Sequence, residues 1–257
     1  MSRRYRRGTR IVRYLGGMFL GFALFNLLWH LCAVALDMPG LPKPLAVYAG
    51  YGTALQNNVL AHTGASLART CAGLGIALVV ALCAGIPMGS SPVINRLFSP
   101  LLYFSYPLPK LALLPVVMLV LGIGEASKIS IIVLIIVFQL IISIRDAIRT
   151  IPAENYALLV SLKASPLDIA RHVTFPAVLP EVFSSMRISI GIALSALFFT
   201  ESYGTNLGLG FYIIDSWMRL DYIQMYFGLA TLAFSGFFLF LLFDGAERMF
   251  CRWNRLR

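Results

Sequence analysis

Charged residues are scarce in this sequence, and the residue types that most enzymes use are few. Of 257 residues only 12% are charged, with 11 acidic side chains and three histidines. His30, His62 and His172 lie far apart, and neither a His-Glu-x-x-His motif nor a Gly-Lys-Ser/Thr phosphate-binding loop occurs. We therefore expect no catalytic residues, no metal site and no cofactor bound by this chain.

Cysteine is also rare, and its spacing predicts no metal centre. Cys32, Cys71 and Cys83 lie in apolar runs, and Cys251 lies in a basic tail. We expect four free thiols that act mainly in packing. A cleavable leader is not expected either, because the apolar run after the N-terminal arginines is long enough to span a membrane and lacks a small-residue cleavage site.

Apolar residues, by contrast, make up 59% of the chain and give it a mean hydropathy of +0.81. This composition predicts an all-α integral membrane protein, and the polar stretches are too short for a separate catalytic domain. Residues 1–257 are thus expected to form one transmembrane domain, with a loop at 201–222. Its six expected spans are residues 14–36, 65–88, 101–121, 129–144, 182–200 and 223–243. The third span contains Pro107, Pro109 and Pro115 and is expected to be kinked or broken.

The net charge of +10 follows a topology pattern rather than marking a surface for nucleic acid. Sixteen of the 21 Lys and Arg residues fall in residues 1–14, 89–99, 145–187 and 245–257. With six spans, these four segments lie on one side of the membrane. The opposite side has only Lys43, Lys128 and Arg219, so the positive-inside rule predicts that both termini are cytoplasmic.

The longest structured stretch between apolar runs is residues 152–180, which we call the central segment. Apolar residues at helical spacing predict a first short helix, and Ser165-Pro166 predicts the cap and first residue of a second. We expect Pro176 to end that second helix. Two short amphipathic helices between spans suit docking onto a protein at the membrane surface; the alternative is that they lie on lipid.

Short motifs follow one another along residues 40–254. They are Leu41-Pro-Lys-Pro44, Ser66-Leu-Ala-Arg69, Pro109-Lys-Leu-Ala-Leu-Leu-Pro115, Gly122-Ile-Gly-Glu-Ala-Ser-Lys128, Glu201 and Gly208-Leu-Gly210. The central segment adds a Leu179-Pro180 ending. This ordered set resembles the permease subunits of binding-protein-dependent ABC importers, in particular their nitrate/sulfonate/taurine branch, and the central segment resembles the EAA loop of those permeases.

The resemblance implies a type I ABC importer permease fold, with six transmembrane helices and a cytoplasmic two-helix coupling loop. It implies the transmembrane subunit of an ATP-driven importer in a bacterial inner membrane, which forms the path for a small anion such as a sulfonate, taurine or nitrate by alternating access. The implied partners are a dimer of ABC ATPase subunits, a second copy of the permease and a periplasmic or lipid-anchored solute-binding protein. ATP and Mg would be bound by the ATPase, and the permease itself would be non-catalytic.

The central segment departs from the EAA pattern at two positions. When Ser165 and Pro176 are aligned with the pattern, the family's glutamate falls on Ala157 and its glycine on Lys163. The glycine permits a sharp bend with positive φ, so either Lys163 makes that bend or the first helix runs on. Glu154, three residues earlier than Ala157, offers a substitute acidic contact.

The resemblance also implies which residues contact the ATPase. They are Glu154, Tyr156, Leu159, Leu162, Lys163, Asp168 and Arg171. We expect the apolar side chains among them to enter the ATPase groove, with the alternative that several pack beneath the permease's own spans.

Three ionisable residues are candidates for the translocation path or its gate, because charges within a membrane need a partner or water. Arg69 either snorkels as a structural residue or contacts the substrate. Lys110, beside a proline on a broken stretch, either attracts an anion or reaches cytoplasmic water. Glu201 either lines an outer gate, pairs with a base such as Arg69, or is a solvated helix end. The loop at 201–222 is expected to contact the solute-binding protein.

Two other classes of function stay open from the sequence. A secondary transporter or channel that works without ATP would need an ion relay through the spans, and the few intramembrane charges do not form a convincing one. A regulatory membrane partner is compatible with the altered residues at positions 157 and 163. ATP-dependent transport distinguishes an importer from the first class, and failure to move any solute despite ATPase binding favours the second.

Overall fold

The computed structural model of the protein describes residues 2–251 and 253, with side chains described from residue 16 onward. The described residues form helices and connecting turns, without strands. The helices are α1 (Ser2–Leu36), α2 (Pro44–Ala49), α3 (Tyr51–Gln56), α4 (Val59–Ser90), α5 (Pro92–Ser105), α6 (Leu114–Leu121), α7 (Glu125–Arg149), α8 (Ala153–Ser161), α9 (Pro166–Ile169), α10 (Phe175–Glu201), α11 (Leu209–Met218) and α12 (Tyr222–Phe250). A 3₁₀ turn, Lys110–Leu113, precedes α6, and a π-helical turn, Ala170–Thr174, joins α9 to α10.

Within this described part of the chain, five helical runs are long and apolar enough to cross a membrane. They are Gly16–Leu36 of α1, then α4, α7, the run Pro166–Glu201, and α12. Counting α5 and Lys110–Leu121 as one span makes six, and these two pieces meet at a bend of 83°. The bend lies at residues 106–109, where Pro107 and Pro109 both lack a backbone N–H group. The expected break of the third span is therefore present, but its first helix begins at residue 92 rather than 101.

The loop expected at residues 201–222 is wrong in its second half, which forms the helix α11. Leu209, Tyr212, Ile213 and Ser216 of α11 are buried, at intervals of three and four residues. That spacing is the helical one, but the segment is short and interrupted by polar residues, so hydropathy alone does not mark it.

The chain divides into two compact units. The first comprises Met1–Val59 and Ile213–Leu229. In it, Trp29 stacks on Tyr226 with ring centroids 5.5 Å apart, and the Gln224 amide donates to the Gly50 carbonyl at 3.2 Å. These contacts join α1, the α2–α3 turn and the start of α12.

The second unit comprises Leu60–Tyr212 and Ala230–Arg257, and its apolar core lies mainly between α4, α7 and α10. Helix α4 approaches α7 closely at glycines. A β-carbon at Gly73 would lie 2.5 Å from Ile132 Cγ2, and one at Gly85 would lie 2.9 Å from Ile144 Cγ2. Small residues at these two positions therefore let the two backbones come close enough for the isoleucines to fill the space.

Candidate functional site

The first helix of the central segment ends at a lysine in a left-handed conformation. Lys163 has φ +55°, its N–H donates to Val160 O at 2.9 Å, and the N–H of Ala164 donates to Leu159 O at 3.0 Å. This pair of bonds is the Schellman arrangement that usually has glycine at this position. Of the two alternatives, Lys163 makes the bend and α8 does not run on.

The second helix starts as its sequence predicts. Ser165 Oγ accepts from the Asp168 N–H at 3.2 Å, and the Asp168 carboxylate accepts from the Ser165 N–H at 3.2 Å and from Ser165 Oγ at 2.6 Å. Pro166 occupies the first turn, where its missing N–H has no helical partner to lose. Such a reciprocal capping box fixes the direction in which the chain leaves the bend.

The expectation that Pro176 ends this second helix is wrong. Helical structure continues from Pro166 through Glu201, with the wider π turn Ala170–Thr174 just before Pro176. In a regular α-helix the ring of Pro176 would clash with the carbonyl of residue 172. The wider turn accommodates the ring, so the helix passes the proline instead of stopping there.

One face of α8 presents apolar side chains to the outside. Glu154, Leu158 and Leu162 follow at four-residue intervals, and the two leucines are 63% and 69% exposed. Leu167 on α9 is 76% exposed. The sequence-based set of contact residues did not include Leu158 and Leu167; the four-residue spacing of Leu158 from Glu154 and Leu162 was a signal for the first, and Leu167 had no such spacing.

The remaining residues of that set separate into two groups. Tyr156 and Leu159 are half-buried, on the side of α8 that faces the rest of the chain. Lys163, Asp168 and Arg171 are exposed beside the apolar face. The geometry thus divides the predicted contact residues into an outer set and an inner pair.

At the other end of α10, four charged residues lie together, which we call the charge cluster: Arg69 on α4, Glu125 and Lys128 on α7, and Glu201; Glu125 is exposed and the other three are buried. Arg69 is 4% exposed. Its Nη1 donates to Glu201 Oε1 at 2.6 Å, and its Nε and Nη2 donate to the Glu125 carboxylate at 2.6 and 2.5 Å. Two carboxylates therefore hold one guanidinium in a fixed orientation between three helices.

The Glu201 carboxylate is fully buried and has several further donors. Ser66 Oγ lies 2.8 Å from its Oε2, and the Gly210 N–H donates to the same oxygen at 2.9 Å. A β-carbon at Gly208, where φ is +135°, would overlap this carboxylate, so residue 208 must be glycine to let the backbone approach. Glu201 thus pairs with Arg69 and is not a solvated helix end.

Lys128 is a member of the cluster that the sequence-based analysis missed. The expected fourth span begins only at residue 129 and leaves Lys128 outside it, whereas α7 begins at Glu125 and takes Lys128 into the helix, where it is 1% exposed. Its Nζ lies 3.9 Å from Glu125 Oε1 and 3.5 Å from the Gly204 carbonyl. The available signal was that the motifs around residues 66–69, 122–128, 201 and 208–210 occur in the same sequence. In the structure these motifs lie together at the charge cluster.

Lys110 does not join the cluster and lines a separate cavity of about 330 Å³. Its Nζ donates to the Tyr106 carbonyl at 2.9 Å and lies 5.2 Å from the Phe138 ring centroid. Ser195 and Phe199 of α10 line the same cavity. Within the described residues, no carboxylate forms an ion pair with Lys110.

A family described as "Binding-protein-dependent transport system inner membrane component" matches residues 73–255, which is more than half of the chain. The chain belongs to this family. Its family membership identifies a membrane-embedded permease of a transport system that uses a binding protein, and this permease is not an enzyme.

Two relatives of named transport systems match most of the permease. The taurine transport system permease protein TauC of Escherichia coli is 29% identical over 238 residues, covering 90% of this chain and 86% of TauC. The bicarbonate transport system permease protein CmpB of Synechocystis sp. is 28% identical over 234 residues, covering 86% of this chain and 81% of CmpB.

Solved structures of the MetNI methionine ABC transporter in inward-facing conformations have the same fold. One crystal form gives a TM-score of 0.57 at 18% identity, covering 74% of this chain and 93% of the other; a second gives 0.56 at 19% identity, covering 71% and 93%. The predicted type I importer permease fold is therefore confirmed. The permease is the translocation subunit of an ABC importer and a multi-pass inner-membrane protein, and family membership does not favour an ATP-independent transporter or a purely regulatory protein.

Proposed function

We propose that the permease carries a small anion and that the exposed face of its central segment couples this transport to a partner ATPase. Under this proposal ATP and Mg bind to a dimer of ATPase subunits, and a periplasmic or lipid-anchored solute-binding protein delivers the anion. A second copy of this chain completes the path.

The observation that carries the proposal is the apolar face on α8 and α9. Leu158, Leu162 and Leu167 are all more than 60% exposed. They lie on a segment flanked by charged residues, and exposed apolar side chains rimmed by polar ones are typical of a protein docking site. Lys163, Asp168 and Arg171, which are exposed beside it, suit polar contacts at the rim.

The distribution of charge supports the side on which docking occurs. Most Lys and Arg residues fall in the terminal segments and in residues 145–187, which include the central segment. The positive-inside rule then favours cytoplasmic termini and a cytoplasmic central segment, where an ATPase has access to it.

The chemistry around Lys110 supports an anionic solute. An ammonium group at a cavity of about 330 Å³, without a carboxylate partner in the described residues, attracts anions of the size of a sulfonate or bicarbonate. Taurine and bicarbonate, named for the relatives TauC and CmpB, both have an anionic group. We therefore propose that small organic or inorganic anions are the solute class.

The docking proposal is tested by placing a charge on the exposed face. The permease is purified with the ATPase that accompanies it in native membranes, and ATP hydrolysis is measured in lipid nanodiscs. Leu162→Asp should reduce recovery of the ATPase and the hydrolysis rate about tenfold, because an aspartate at the centre of an apolar contact loses its hydration.

Val160→Asp is the matched control. Val160 is 60% exposed, but it lies about 160° around the helix from Leu162 and next to the half-buried side. It should retain the ATPase. Equal behaviour of the two variants, or full hydrolysis with Leu162→Asp, would contradict docking through this face.

A further inference from the structure

The C-terminal end of the described chain contacts the beginning of α10. We call this group of residues the C-terminal brace: Phe243, Asp244, Glu247, Phe250 and Trp253. Its ring contacts centre on Phe183 of α10, whose centroid lies 6.4 Å from those of both Phe243 and Phe250. The brace therefore packs on the part of α10 that follows the central segment.

An ion-pair network lies beside these rings. Arg187 of α10 pairs with Glu247 and lies 3.7 Å from Asp244 Oδ1. Arg248 pairs in turn with Asp244 at 2.5 Å. Since the side chains of Arg187, Asp244 and Glu247 are each only about one-fifth exposed, solvent screens these pairs less than it screens surface pairs.

The most specific contact of the brace is a hydrogen bond to a carbonyl that the helix itself cannot use. Trp253 Nε1 donates to Pro176 O at 3.1 Å. In α10 the regular partner of that carbonyl would be the N–H of residue 180, which is a proline and has none. The indole N–H therefore replaces the missing helical donor.

The same helical stretch also borders a cavity. The cavity has a volume of about 160 Å³, and its lining includes Val178 and Val182 of α10, Leu78 and Leu82 of α4, and the aromatic pair Phe183 and Phe243. Atoms facing a cavity lose dispersion contacts on that side. The brace thus adds contacts to a part of α10 whose packing within the unit leaves a cavity.

We propose that Trp253 is a positioning residue for ATP-driven transport: by holding the Pro176 carbonyl, it sets the start of α10 and so the direction of the central segment. This inference rests on the proposed coupling to an ATPase. Because α9, the π turn and α10 form one continuous helical run, a displacement at Pro176 changes where the exposed face of α9 points.

The test compares two aromatic substitutions that differ in the donor. Trp253→Phe keeps a ring but has no N–H, and Trp253→His keeps a ring with one N–H. Each is assembled with the co-purified ATPase and solute-binding protein in proteoliposomes, and solute taken up per ATP hydrolysed is measured. Trp253→Phe should lower that ratio about fivefold, the factor that one hydrogen bond typically contributes, and Trp253→His should lower it less.

Pro180→Ala supplies the decisive control, because it restores the helical N–H donor to the Pro176 carbonyl. In the Pro180→Ala background, Trp253→Phe should leave the ratio unchanged. The positioning role would be overturned if Trp253→Phe lowered the ratio equally in both backgrounds, or if it left the ratio at the wild-type value. It would also be overturned if the Trp253→Phe permease no longer assembled with the ATPase. A wild-type permease that does not couple to the ATPase would instead overturn the proposed function, and this inference with it.

Discussion

Lys163 holds a backbone conformation that costs a β-carbon-bearing residue about 1–2 kcal/mol relative to the right-handed region. The two Schellman bonds from residues 163 and 164 compensate for that cost and close the end of α8. The bend at the centre of the proposed docking face is thus made by backbone hydrogen bonds, even though the residue there is not glycine.

We predict that Lys163→Gly stabilises this bend by about 1 kcal/mol, because glycine adopts positive φ without steric cost. Local opening of the bend exposes the Ala164 amide, so its hydrogen exchange should become about fivefold slower. Hydrogen–deuterium exchange of the purified permease in nanodiscs measures this rate.

Lys163→Ala separates the backbone effect from the loss of charge. Alanine retains the β-carbon and therefore the strain, so its exchange rate should stay near that of the wild type. If alanine slows exchange as much as glycine does, removal of the lysine charge rather than relief of strain is responsible.

At the scale of elements, the charge cluster joins α4, α7 and α10 and holds the turn before α11. Glu201 is fully buried, whereas the Glu125 side chain is 59% exposed, so the two carboxylates that hold Arg69 differ in how much solvent shields them. A buried charge left without its partner costs far more than an exposed one.

Glu201→Gln should therefore lower the free energy of unfolding by about 3 kcal/mol or more, and Glu125→Gln by only about 1 kcal/mol. Unfolding of the purified permease by sodium dodecyl sulfate measures both. Glu181→Gln, an exposed carboxylate on the same helix as Glu201, should change little. If Glu125→Gln lowered the free energy of unfolding more than Glu201→Gln does, this account of the cluster would be contradicted.

The charge cluster also shows which features of the structure can be predicted from the sequence alone. Hydropathy and proline positions are local properties, so they predict the apolar runs and the break at residues 106–109. The burial of Lys128 and its distance to Glu125 are not local properties, because both depend on the residue at which α7 begins. The passage of the helix through Pro176 likewise depends on a π turn for which no residue type is diagnostic.

At the scale of the whole molecule, one helical run connects the exposed face of the central segment to the charge cluster. From Pro166, beside the exposed face of the central segment, it continues to Glu201 in the charge cluster. At about 1.5 Å per residue this run is about 50 Å long, enough to cross a membrane. Movement of the ATPase at one end can therefore reach the cluster at the other through a single element.

The most direct measurement of this account is uptake of radiolabelled taurine or bicarbonate into proteoliposomes that contain the permease, its ATPase and its solute-binding protein. We predict uptake that requires ATP and that Lys110→Gln reduces about tenfold, since the cation beside the cavity is lost. Lys43→Gln, which removes an exposed lysine elsewhere, should transport like the wild type. Uptake driven by a proton gradient without ATP, or uptake that Lys110→Gln leaves unchanged, would contradict ATP-driven anion import along this path.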